Sequence, residues 1–163
     1  MSKLIGTFFG VGYLPFAPGT WGTAAALPAA YLLYLLGGVP ALVIAIIAAS
    51  LLGWWATAEM TRESANHDPS EVVIDEVAGM WLTLLPVFIG ASHAGVDPLR
   101  LWPGWVAGFV LFRLFDILKP GPIGWADRMD TSLGVMLDDI FAGIAAAICV
   151  GLLAWLSHGM LGL

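Results

Sequence analysis

Charge is scarce in this chain. Of its 163 residues only 11% are Asp, Glu, Lys or Arg, and 60% are hydrophobic. Soluble domains average roughly 25% and 45–50%. Basic residues are the scarcer sign: six Lys+Arg face twelve Asp+Glu, for a net charge of −6. That excludes a nucleic-acid binder, which needs a basic surface, and a disordered chain, which needs few apolar residues. No overall field draws in a phosphate, so a phosphorylated ligand would require local cations or a metal ion. The single cysteine, Cys149, sits in an apolar run. It excludes a disulfide framework and a Cys-rich zinc site. There is no Gly-x-Ser-x-Gly elbow for a serine nucleophile, and no Gly-rich loop ends in Lys-Ser/Thr.

What is present is long uncharged stretches, and a mean hydropathy of +0.90. From Leu4 to Ala58 there is no charge, nor from Val77 to Val96, Leu101 to Phe112, or Ile140 onward. A bilayer-spanning helix needs ~20 apolar residues. Five helices are expected: about 21–36, ended by Gly37-Gly38; about 40–58, opened by Pro40; about 72–92, kinked at Pro86; about 102–118, stopped by Pro120; and about 139–157. A backbone in lipid must satisfy its own hydrogen bonds, so the fold class is all-α, a polytopic membrane bundle. A water-soluble bundle of this size could not hide so much apolar surface. Lys3 is not followed by a secretory signal pattern.

Fifteen of the eighteen charges fall in two segments, Glu59–Glu76 and Arg113–Asp139. With the N-terminus inside, five spans place residues 1–20, 59–71 and 119–138 on one side. Lys3, Arg62, Arg113, Lys119 and Arg128 then lie inside and only Arg100 outside, as the positive-inside rule requires. Both charged segments therefore meet the Gly/Pro-rich N-terminal stretch at one membrane face, the cytoplasmic one. A smaller echo points the same way: Asp75 precedes Gly79 by four residues, and Asp139 precedes Gly143 by four. Small residues let membrane helices approach closely, so two helices are expected to touch near their acids.

Arg113 and Asp116 share a helix face, with Lys119 three residues on. Basic residues at a helix end can simply snorkel to the interface, but Asp116 opposes the dipole of its helix and calls for a partner. Asp75-Glu76 and Asp138-Asp139 stand at helix starts, where capping would need one acid each. Two adjacent acids twice, near Asp116 and Asp127, are costly unless a cation lies among them. Carboxylate ligation suits a hard ion such as Mg²⁺. The stretch GVGYLPFAPGTWGT reads as a loop entering a helix, where Thr20 and Thr23 can cap and free N–H groups favour an anion. Tyr13, Phe16 and Trp21 there suit an interfacial anchor equally well. His67, the one histidine in a charged segment, is a possible ligand or a solvated loop residue. The remaining chemistry is metal-assisted attack of water on an electrophile, with basic residues gripping an anionic group.

The stretches LPFAPGTWGT, VIDEVAGMW, FRLFDILKPGPIGWADR and GVMLDDIFAG resemble, in that order, the phosphatidylglycerophosphatase A family. The resemblance runs from about Gly10 to about Gly143 and implies a single domain over 1–163. It implies a Mg²⁺-dependent phosphatase of the bacterial inner membrane. Its reaction would be hydrolysis of phosphatidylglycerol phosphate to phosphatidylglycerol and inorganic phosphate at the cytoplasmic side. The implied partners are a phospholipid substrate and the membrane, with no nucleic acid. On that basis Asp75, Glu76, Asp116, Asp138 and Asp139 are expected to hold metal. Thr20, Arg113, Lys119 and Arg128 are expected to bind the substrate phosphate. Asp127, with Asp116 and Lys119, is expected to act on the attacking water. Gly121 and Gly124 depart from bulkier or basic residues in some members.

Two other classes compete with this reading. A transporter would carry acids deep within several helices rather than at one face. A lipid phosphotransferase of the CDP-alcohol type would need an Asp-Gly-x-x-Ala-Arg start, which Asp127, Asp130 and Asp138 do not provide. The Ser-Gly-His of the His-based lipid phosphatases is missing.

Overall fold

The computed structural model describes residues 1–62 and 69–160, and among them every regular element is helical. A short α1 (Ser2–Gly6) and a 3₁₀ turn (Val11–Tyr13) lead into α2 (Pro18–Thr61). Then come α3 (Ile74–Ala94), a 3₁₀ turn (Pro98–Leu101), α4 (Trp102–Leu118), α5 (Pro122–Asp127) and α6 (Ser132–Met160). Four of these helical stretches are long and apolar enough to cross a membrane.

The longest of them, α2, is folded on itself. Gly37 and Gly38 leave the helical region, Gly38 with φ +65°, a conformation open to a residue without Cβ. Gly22 abuts Val73, and Gly53 abuts Ile74. In one straight helix these two glycines would stand roughly 46 Å apart at 1.5 Å per residue. Only a hairpin brings both to the start of α3. The arms 18–36 and 39–61 are thus the first two of the five expected helices.

The core sits around α3. Val77, Ala78, Met80, Leu84, Phe88 and Ala91 of α3 are all buried, and the other long helices are more exposed, so α3 is the central helix and the rest surround it. Trp81 of α3 donates its indole N–H to the Ala26 carbonyl at 2.9 Å, tying α3 to the first arm of α2. Phe88 packs between Tyr34 and Trp105. The outer faces of the other helices expose Leu36, Ile44, Leu51, Val110, Ile148 and Leu152. In water such an exterior would be an aggregation surface; in lipid it is the natural solvent-facing side.

The α3–α6 contact is a backbone contact. A Cβ placed on Gly143 would lie 2.5 Å from the Gly79 carbonyl oxygen, and one on Gly79 would lie 2.6 Å from the Asp139 carbonyl oxygen. The Asp75/Gly79 and Asp139/Gly143 echo therefore marks a real meeting of two helices. The Thr83 hydroxyl donates to the Gly79 carbonyl at 2.9 Å and also reaches the Gly143 carbonyl at 3.3 Å, bridging the seam.

Three expectations need correction. The last helix starts at Ser132, not 139, because the Thr131 hydroxyl accepts from Gly134 N–H at 3.1 Å and opens it earlier. Asp138 and Asp139 therefore sit in the second turn and cap nothing. Thr20 and Thr23 do not cap α2, which has already begun at Pro18; the Thr23 hydroxyl donates back to the Gly19 carbonyl at 2.8 Å. The segment 119–138 contains a short helix, α5, where a loop was expected, opened by Pro122 in its first turn. The helix expected over 72–92 is α3, with Pro86 inside it.

The two ends of the bundle differ. At one end the Val73 N–H donates to the Gly6 carbonyl at 2.9 Å, Gly12 touches the Glu71 backbone, and Gly19 touches Glu76. The N-terminal stretch, residues 69–73 and the α4–α6 connection converge there. At the other end the Tyr31 hydroxyl donates to Asp97 Oδ2 at 2.9 Å, beside Trp105.

Candidate active site

Four helices supply the charged end. The first turn of α3 brings Asp75 and Glu76. The last turns of α4 bring Arg113 and Asp116, with Lys119 as the residue that ends the helix in a left-handed conformation. The second turn of α6 brings Asp138 and Asp139. Pro18 and Gly19, at the start of α2, close the ring. Between them lies a cavity of about 260 Å³.

On one wall the Asp75, Glu76 and Asp139 carboxylates each place an oxygen within 4.8 Å of the others. Asp75 and Asp139 are buried, at 6% and 3% exposure. Three carboxylates this close repel strongly in a low-dielectric site unless a cation or protons intervene. Glu76 Oε2 is buried with no hydrogen-bond partner among the described residues. Its Oε1 presses against Gly19: a Cβ there would lie 2.0 Å away. A side chain at Gly19 would therefore displace the Glu76 carboxylate.

The basic groups stand beside them: the same Cβ on Gly19 would lie 3.3 Å from Arg113 Nη1. Arg113 Nη1 forms an ion pair with Asp116 Oδ2 at 2.5 Å and is buried without a hydrogen-bond partner among the described residues. A guanidinium held this way has donors to offer a ligand. Lys119 Nζ donates to Asp138 Oδ2 at 2.7 Å and also to Asp127. Burial opposes its charge, but hydrogen bonds and attraction from Asp127 and Asp138 outweigh it and push its pKa above the ordinary 10.5. Lys119 is a fixed cation at the cavity rim.

Of the residues expected from the sequence, Asp75, Glu76, Arg113, Asp116, Lys119, Asp138 and Asp139 all line the one cavity. Three others do not. Thr20 lies in the first turn of α2 but leaves the lining to Pro18 and Gly19. Asp127 and Arg128 end α5 in exposed positions outside the lining, Asp127 reaching the site only through Lys119. His67 lies outside the described residues. Sequence reasoning missed Gly19, whose signal was the Pro-Gly pair opening a helix, and Ser70, which lines the cavity without any signal in its surroundings.

Bundle and cavity together define a polytopic membrane protein with an acid-lined site, guarded by two cations, at one end. The model of the phosphatidylglycerophosphatase A family matches residues 4–154. The phosphatidylglycerophosphatase A of Escherichia coli K12 is 35% identical over 157 residues, covering 95% of this chain and 83% of that protein. That of Haemophilus influenzae is 35% identical over 148 residues, covering 90% and 85%. A Bacteroides thetaiotaomicron protein named "Putative phosphatidylinositol-3-phosphatase" is 38% identical over 156 residues, covering 93% and 92%. No solved structure matches. The chain belongs to the phosphatidylglycerophosphatase A family, and with it to the phosphoric monoester hydrolases.

Proposed function

We propose that this protein removes the terminal phosphate of phosphatidylglycerol phosphate, giving phosphatidylglycerol and inorganic phosphate, as one domain over 1–163. The observation that carries the reading is a cavity, at the charged end of a membrane bundle, that sets three clustered carboxylates against Arg113 and Lys119. The basic count of the connecting segments favours the cytoplasmic face of a bacterial inner membrane.

The residues fit a divalent cation. The donor set is all oxygen, the three carboxylates converge, and Glu76 Oε2 is buried without a hydrogen-bond partner among the described residues. Mg²⁺ is the hard ion such a set suits. Asp75, Glu76 and Asp139 would hold it, with Asp116 and Asp138 at the edge of the same cavity. When bound it supplies charge neutralisation at the phosphoryl group. The chain's own groups do the rest. Arg113 binds phosphate oxygens through its fork, and Lys119 adds a second cation. Asp116, beside the phosphate grip, takes the proton of the attacking water. Asp127 was expected to share that task; from outside the cavity it instead holds Lys119 in place. Arg128, exposed on α5, is left to a peripheral contact with the headgroup, and Thr20 to the helix start.

Phosphate release from phosphatidylglycerol phosphate by the purified protein, with Mg²⁺ and in excess chelator, tests the reading. Release that requires Mg²⁺ supports it. Full turnover in chelator overturns the metal, and no release under either condition overturns the substrate. Phosphatidylinositol 3-phosphate belongs in the same assay, since the name of the Bacteroides relative points to it.

A further inference from the structure

A second cavity, of about 430 Å³, lies between α4, α5 and α6. Phe115, Pro120, Ile123, Phe141, Ala145 and Ile148 line it, with no charged residue among its lining. It starts where the polar cavity stops. On α4, Phe115 faces it while the next residues, Asp116 and Ile117, face the polar cavity; Pro120 follows Lys119 directly. On α6, Asp138, Phe141, Ala145 and Ile148 stand at i, i+3, i+7 and i+10, one stripe along the helix. Ile148 is therefore roughly 15 Å deeper along α6 than Asp138, at 1.5 Å per residue. The stripe passes from a carboxylate in the site to apolar side chains at membrane depth.

We propose that this groove holds one acyl chain of the phospholipid whose phosphate enters the polar cavity. The inference rests on the reading that the substrate is a lipid phosphate monoester. An apolar groove in lipid gains little from the hydrophobic effect, because tails fill it either way. What it contributes is position: a tail lodged there fixes its own headgroup against Arg113 and Lys119. Ala145 is the place to block it. It is half-buried, on the groove side of the fully buried Ala142 and Ala146, so a larger side chain fills the groove and not the core.

The test uses phosphatidic acid with a diazirine midway along one acyl chain, in phosphatidylglycerol nanodiscs, for the wild type and Ala145→Trp. Labelling of the wild type should concentrate on residues 141–148 and fall in the variant. Hydrolysis of a long-chain phosphatidylglycerol phosphate should fall about tenfold in Ala145→Trp, as misplacement of a reacting group does. A dihexanoyl substrate should be hydrolysed as by the wild type. Labelling spread evenly over the lipid-exposed faces, or a crosslink between two copies of the chain, overturns the groove. So does equal loss on both substrates. Labelling needs no turnover, so a labelled groove without phosphate release would count against the proposed substrate alone.

Discussion

The carboxylates of α3 and α6 and the basic groups at the end of α4 line one cavity but are held in opposite ways. Asp75 and Asp139 are buried on two helices whose backbones touch at Gly79 and Gly143. Neither helix can shift there without breaking a contact of backbone against backbone. Lys119 sits past the last turn of α4, on a left-handed residue, with its ammonium shared between Asp138 and Asp127. Asp138 is 9% exposed and Asp127 42%, so one partner belongs to the bundle and the other to its solvated edge. The acidic wall is fixed by packing; the basic rim is held by ion pairs that can be exchanged for a ligand. On the proposed function, the wall would keep a small ion and the rim would release a bulky lipid.

The comparison is broken most severely by removing one acid from the fixed wall. Asp139→Asn keeps the shape and loses the charge. Activity should fall by at least ~10²-fold, beyond the loss seen for groups that merely support metal ligands, with part of it regained at high Mg²⁺. Phosphate release from membranes with matched protein level measures it. Asp139 lies inside α6, so no loss of capping can imitate the result.

The seam itself comes next. Gly143→Ala puts a methyl group against the Gly79 carbonyl. Overpacking of this kind costs about 1–3 kcal/mol, and the forced separation moves Asp139 from Asp75. A lower thermal midpoint in detergent together with reduced activity is expected. Gly151→Ala, which meets nothing within 4 Å, should change neither and serves as the control.

On the basic rim the effects should be smaller and of another kind. Arg113→Lys keeps the charge and loses the fork. KM should rise while the Mg²⁺ concentration for half-maximal activity stays put; a shift in that concentration would mean that the rim and the wall are not separable. Arg128→Lys, on the exposed end of α5, should lower activity only a few-fold, as exposed ion contacts do.

The smallest effect concerns pH. Lys119 has its pKa raised, so its ammonium persists from neutral pH past its ordinary value of 10.5. Its contribution to stability is then fully present below that ordinary value, and is lost only as pH rises through the raised one. Between pH 6 and 9 the rate profile of Lys119→Arg should have the shape of the wild-type profile.

Much of this contrast is readable from residue order. The five helices, the convergence of the charged segments at one end and the touching of α3 with α6 follow from uncharged runs and two acid–glycine spacings. Seven of the expected site residues share one cavity. What residue order hid was depth. Asp127 and Arg128 follow Lys119 by eight and nine residues, but α5 turns them outward, and Pro122 was the one sign of that short helix. Thr20 seemed a cap because a hydroxyl near a helix start usually is one; the helix had begun two residues earlier, at Pro18. The start of α6 was misplaced because the acids at 138–139 read as a boundary, whereas Thr131 provides it.

An acidic wall built to hold a divalent ion binds that ion without turnover. Binding of Mn²⁺, followed by the loss of its free-ion paramagnetic resonance signal and competed by Mg²⁺, should be measured for the purified wild type and Asp139→Asn. Saturable binding by the wild type, displaced by Mg²⁺, and an affinity at least ~10²-fold weaker in the variant are expected. Equal binding by both proteins would contradict it.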